Sequence, residues 1–75
     1  MSTKREPDSA AHVRYVLIRQ TLLMRRRTFA AIARRLGVTP AMVTRVAKGD
    51  TVSRRVQRAL ARAIGMKYRE LWGAN

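Results

Sequence analysis

The chain has 75 residues, 47% of them hydrophobic, and a formal net charge of +13. That length fits one small domain, which buries only about 60% of its unfolded surface, and the apolar content is too high for an intrinsically disordered chain. Without a cysteine there is neither a disulfide nor a thiolate metal site, and no run approaches the ~18 apolar residues of a membrane span.

Residues 1–8, MSTKREPD, are polar, contain Pro7 and offer nothing to bury. They read as a flexible basic N-terminal arm preceding a folded domain over 9–75, and they lack the apolar core of a signal peptide. Ser9 is a plausible N-cap for a first helix over about 10–25. Val13, Leu17, Ile18, Thr21, Leu22 and Met24 give this helix a broad apolar face, with Tyr15, Val16 and Leu23 partly off it. A helix so apolar is expected to bury more than one side, the extra side lying against the core or against a second copy.

Arg25, Arg26 and Arg27 interrupt that pattern, and Thr28 can cap a second helix over about 29–36 through its hydroxyl. Gly37 lies just past its end, where a left-handed backbone suits glycine. Thr39-Pro40 is a strong start signal, a capping Thr followed by a Pro that needs no N–H, and it opens a third helix over about 40–47. Lys48-Gly49-Asp50 reads as a turn. Ser53 caps a fourth helix over about 54–64, with Val56, Leu60, Ala63 and Ile64 inward and Gly65 at its end. Residues 67–72 form a last helical turn that packs Met66, Leu71 and Trp72 on the core. With no repeat and no alternating strand pattern, the fold class is all-α, a compact bundle of four to five helices.

The pair of helices over 29–36 and 40–47 is the informative unit. Two short amphipathic helices joined by a glycine turn are the layout of a DNA-binding helix-turn-helix, whose second helix enters the major groove. Seventeen basic residues, fourteen of them Arg, face four acids. A charge this extreme points to a polyanion, and nucleic acid is the first candidate. With Val43 and Val46 turned inward, Pro40, Ala41, Thr44 and Arg45 are the candidate base readers. The Arg45 fork matches the two acceptors of guanine, while Thr44, Ala41 and Pro40 can touch a thymine methyl. Thr39, Lys48, Thr28, Arg26, Arg27, Arg54 and Arg55 are the candidate phosphate contacts, Thr39 because a helix N-terminus attracts anions. A phosphate contact or a solvated face is the bland alternative for Arg45. Trp72 fits either base stacking or the core, and the core is favoured because Leu71 adjoins it.

IARRLGVTPAMVTRV resembles the lambda-repressor-like helix-turn-helix of the Cro or XRE type, and VSRRVQRALARAIGMKYRELWG resembles that family's fourth and fifth helices. The likeness runs over residues 18–72. ARAIGMKYRELW is similar to Ner-like regulators of transposable phages, and Phe29, standing where many repressors carry a phosphate-binding Gln, agrees with that. TPAMVTRV is also similar to the DNA-binding headpiece of the lactose-repressor family, in which the residues matching Arg45, Pro40 and Ala41 face bases. The resemblance implies a phage- or plasmid-borne repressor of its own operon that binds a palindrome as a homodimer.

The expected function is a sequence-specific regulator of double-stranded DNA. A non-specific architectural DNA-binding protein is the rival, since phosphate contacts alone give sequence-independent affinity; a membrane-active cationic protein is a distant third. An enzyme is not expected, because His12 is the sole histidine and Asp8, Asp50, Glu6 and Glu70 show no pairing suited to acid–base work. No cofactor, metal, membrane or small-molecule ligand is expected either. The expected partners are a palindromic operator and a second copy, joined either in solution or only on DNA, because one such domain reads too few base pairs against a genome. The expected location is the cytoplasm, at the bacterial nucleoid.

Overall fold

The computed structural model describes residues 10–73, which form five helices: α1 (Ala10–Met24), α2 (Phe29–Leu36), α3 (Pro40–Lys48), α4 (Arg54–Ile64) and α5 (Tyr68–Trp72). No strand occurs among the described residues. The arm over 1–8 and the Ser9 cap lie outside them.

Local chemistry sets the start and stop of each helix. Thr28, Thr39 and Ser53 have extended backbones, and each hydroxyl oxygen accepts the N–H three residues on, from Ala31, Met42 and Val56 respectively. These bonds satisfy N–H groups that the first turn leaves without partners. Pro40 sits at the start of α3, where its missing N–H and fixed φ do no harm. In α5, Glu70 reaches back to accept from the Lys67 N–H at 3.0 Å.

The C-termini of α1 to α4 share one geometry. In α2 the Gly37 N–H donates to Arg34 O and the Val38 N–H to Ala33 O. The same pair of crossed bonds closes α3 at Gly49-Asp50 and α4 at Gly65-Met66. It also closes α1, where Arg26 N–H donates to Leu23 O and Arg27 N–H to Leu22 O. There the left-handed residue is not a glycine but Arg26, at φ 59°. That cap ends α1 one residue before the expected Arg25, and Gly49 carries α3 one residue past the expected Ala47.

The core consists of Ile18 and Leu22 from α1, Ile32 and Ala33 from α2, Val43, Val46 and Ala47 from α3, Val56, Leu60, Ala61, Ala63 and Ile64 from α4, and Leu71 from α5. The short α3 packs against α1, α2 and α4 together. Tyr15, Phe29, Leu36, Val38, Met66 and Trp72 close its edges. Trp72 is fixed at this edge: its Nε1–H donates to Gln57 O at 2.9 Å, and the Arg14 guanidinium lies 4.7 Å from its ring centre.

Helix α1 departs from expectation. Only Ile18 and Leu22 are buried, whereas Val13, Leu17 and Met24, expected on the inner face, are exposed. Successive helical residues are about 100° apart, so once Ile18 and Leu22 point inward, Leu17 and Met24 must turn away. The sequence offered two apolar faces, and the bundle covers one.

Two arginines stabilise helix ends across the fold. Arg25 donates from Nη1 to Ala63 O at 3.1 Å, and Arg55 donates from Nη2 to Leu36 O at 2.6 Å. Each places a cation where a helix carries partial negative charge. Arg25 reaches its site by lying on Gly65, where an added Cβ would fall 2.7 Å from Arg25 Nη2. Gly65 has φ +76° and Gly37 φ +74°, but nothing lies within 4 Å of a Cβ at Gly37. Gly37→Ala is therefore expected to destabilise by about 1 kcal/mol, the left-handed term alone. Gly65→Ala should lose about a further 1 kcal/mol by displacing the Arg25 bond, and that excess should vanish in an Arg25→Ala background. Urea unfolding of the four variants measures both.

Candidate nucleic-acid interface

The outer face of α3 follows from its inner one. Val43, Val46 and Ala47 have no solvent exposure. Ala41, Arg45 and Lys48 then line the opposite side as one exposed strip, with Pro40 at the helix start and Thr44, half-buried, at the edge. All four candidate readers thus lie on one short helix, and the structure brings them together. The turn from α2 contains only Gly37, Val38 and Thr39, so α2 and α3 pack directly on each other.

The polar groups on this face differ in what they leave free. Arg45 is exposed and makes no hydrogen bond among the described residues, so its guanidinium fork is available. Thr44 donates its hydroxyl to Pro40 O at 3.0 Å, which leaves its oxygen as an acceptor. Thr39 accepts from Met42 N at 3.2 Å, and Thr28 accepts from Ala31 N at 3.0 Å, so both hydroxyls work first as caps. Lys48 turns back toward α1, its Nζ 5.6 Å from the centre of the Tyr15 ring.

The candidate phosphate contacts do not form one cluster. Arg26 and Arg27 share an open groove of about 810 Å³ with Arg35 of α2 and Arg62 of α4. Its floor includes Ile32 and Leu36. Arg54 and Arg55 are exposed at the start of α4, but the Arg55 guanidinium is engaged on Leu36 O. Arg35 and Arg62 were not singled out by sequence. They are 27 residues apart in the chain, and only the packing of α2 on α4 brings them to one groove. No local signal foretells that pairing.

The electrostatics of the helix starts favour an anion. None of α1 to α4 has an acidic residue in its first turn. The first turn of α4 holds Arg54 and Arg55 instead, cations at the positive end of a helix. Asp50 and Glu70 are the only acidic side chains among the described residues, and the Glu70 carboxylate is engaged with the Lys67 N–H. The described residues contain no group of three or more His, Cys, Asp or Glu able to hold a metal ion. No described helix is long and apolar enough to cross a membrane.

No protein-family model, no curated protein and no solved structure matches this chain. The residues and their arrangement therefore carry the functional reading.

Arg26 combines exposure, charge and an unfavourable backbone. A non-glycine residue in the left-handed region costs about 1 kcal/mol, and such strain gathers at functional positions. Arg26→Gly is expected to raise stability by about 0.5–1 kcal/mol, a gain limited by glycine's greater unfolded-state freedom. The same change should weaken binding to any DNA duplex. Thermal unfolding and fluorescence anisotropy on one preparation would test the two effects together. Unchanged duplex affinity would remove Arg26 from the interface.

Proposed function

We propose that this chain is a sequence-specific double-stranded DNA-binding regulator of the lambda-repressor-like kind, with α2 and α3 as its helix-turn-helix. It acts as a repressor by occupying operator DNA. The observation that carries the reading is the α3 surface. Three fully buried side chains hold the helix in one rotational setting, and the strip this leaves in solvent carries Ala41, Lys48 and an unengaged arginine, Arg45.

Each part of that surface has a matching part on a duplex. A helix of nine residues fits the major groove. Arg45 offers two parallel N–H donors to the N7 and O6 of guanine, a contact worth about 1–3 kcal/mol of discrimination. Ala41, Pro40 and the Thr44 methyl are the right size and polarity to pack on thymine methyls. Arg26, Arg27 and Arg54 supply phosphate contacts, with Arg35 and Arg62 beside the first two. Thr28 and Thr39 serve the same end less directly: by capping α2 and α3 they hold the first-turn N–H groups in place near an incoming phosphate. Lys48 and Arg55 are held by other contacts in this structure, and they join a duplex by exchanging those contacts for phosphate.

The architectural alternative draws on the breadth of the charge. Arginines occur on every helix, and a uniformly cationic surface binds any duplex through counterion release. What favours specific reading is the shape of α3, whose first turn is small and apolar at Pro40 and Ala41. A pure phosphate binder has no need of a methyl-sized surface there.

Two substitutions separate these readings. Arg45→Ala is expected to relax preference at one base pair and to weaken specific binding by about 1–3 kcal/mol, while non-specific duplex binding changes little. Arg27→Ala should weaken all duplexes alike and reduce the slope of log affinity against log salt by about 1. Selection from a random duplex pool at about 150 mM salt, where non-specific affinity is suppressed, supplies the site for both. Failure to enrich any sequence, with binding that disappears as salt rises, would establish the architectural reading instead.

A further inference from the structure

The outer face of α1 is left over by both the fold and the proposed DNA contact. Val13, Val16, Leu17, Leu23 and Met24 are 57, 40, 42, 73 and 81% exposed. Their spacing puts them on one side of the helix, with exposed Gln20 in the middle. No charged side chain belongs to this stripe, in a molecule whose net charge is +13.

The neutrality of the face is maintained by specific contacts. Helix α1 carries two arginines and is followed by three. Arg26 and Arg27 turn into the groove with Arg35 and Arg62 beyond the end of the stripe, and the other three are drawn toward the body of the domain. Arg14 lies over the Trp72 ring at 4.7 Å. Arg19 donates to the Tyr15 hydroxyl at 3.1 Å and stands 5.8 Å from the centre of the Phe29 ring. Arg25 donates to Ala63 O.

From this we infer that the outer face of α1 is a homodimer interface, and that its occupant is the same face of a second copy. Charge selects the partner. Nucleic acid or an acidic protein is attracted to the arginine-rich surfaces and gains nothing from an uncharged stripe. A second copy is repelled everywhere except where both molecules present no charge. The face is also self-complementary. Under a two-fold axis with the helices antiparallel, Val13 of one copy meets Met24 of the other, and the Leu17 and Gln20 positions cross at the centre. The Gln20 amide has both a donor and an acceptor, so two copies can satisfy each other there.

Size sets the strength. The five side chains expose on the order of 500 Å² per copy. Two such faces remove about 1,000 Å² from water, the lower limit for a specific interface. The free dimer is accordingly weak, and like charge opposes it. Salt shortens the screening length from about 10 Å at 0.1 M to about 3 Å at 1 M, so this association tightens as salt rises. Any association bridged by carried-over nucleic acid does the opposite. The inference stands apart from the DNA reading, since the measurement contains no DNA.

Sedimentation equilibrium of the full chain, freed of nucleic acid, at 0.1 M and about 1 M salt is the test. The expected result is a monomer–dimer equilibrium that strengthens with salt. Leu17→Glu and, separately, Leu23→Glu should each weaken it by at least about tenfold while leaving helical circular dichroism unchanged, and leaving the melting temperature unchanged at concentrations where the unsubstituted chain is monomeric. Both positions are exposed in the free domain, so folding is retained. A single monomeric mass at every concentration, a dimer indifferent to both variants, association dissolved by salt, or growth beyond the dimer would each overturn the proposal.

Discussion

Val43, Val46 and Ala47 lose all solvent exposure where α3 meets α1, α2 and α4, and this burial fixes the rotation of α3 about its own axis. A helix of nine residues is too short to be stable alone. Its shape and orientation are therefore supplied by the packing of its inner stripe. Everything presented outward by α3, Arg45 included, is a geometric consequence of those three small side chains. Small residues are what allow α3 to be enclosed on several sides; a larger side chain at Ala47 would force the surrounding helices apart.

The economy of the fold lies in its helix ends. With few residues to build a core, the chain relies on caps that satisfy backbone groups locally. Three hydroxyl caps open α2, α3 and α4, and one recurring C-terminal geometry closes α1 to α4. Arginines take part in this scaffold as well as in the surface field. Arg25 and Arg55 hold helix C-termini, and Arg14 and Arg19 lie on aromatic rings. A high arginine count is thus not one property. Some guanidiniums are structural, one is unengaged on α3, and four gather around a groove between α2 and α4.

This division gives the surface two characters. One region is dense in cations and suited to phosphate; the outer side of α1 is apolar and uncharged. A small basic domain has few ways to meet its own kind, and the dimer proposed above uses the one side of α1 from which its arginines turn away. Weak pairing there and weak reading by each α3 would reinforce one another on a two-fold symmetric duplex, because the second domain binds at high effective concentration.

The sequence alone determined the helices and, for α2 to α4, where they stop to within a residue. Thr28, Thr39-Pro40, Ser53, Gly37 and Gly65 act within a few residues of themselves, so their effects are legible without a fold. The inward stripe of α3 was legible for the same reason, since Val43 and Val46 alternate with polar neighbours at helical spacing. Tertiary structure alone decided which of two apolar faces of α1 is covered, because both satisfy the same periodicity and only the position of α3 and α4 chooses between them. It also decided which arginines are engaged. Arg55 on Leu36 O, Arg25 over Gly65 and the meeting of Arg35 with Arg62 depend on contacts between residues far apart in the chain. A guanidinium on a long flexible stem carries no local signal of where it comes to rest.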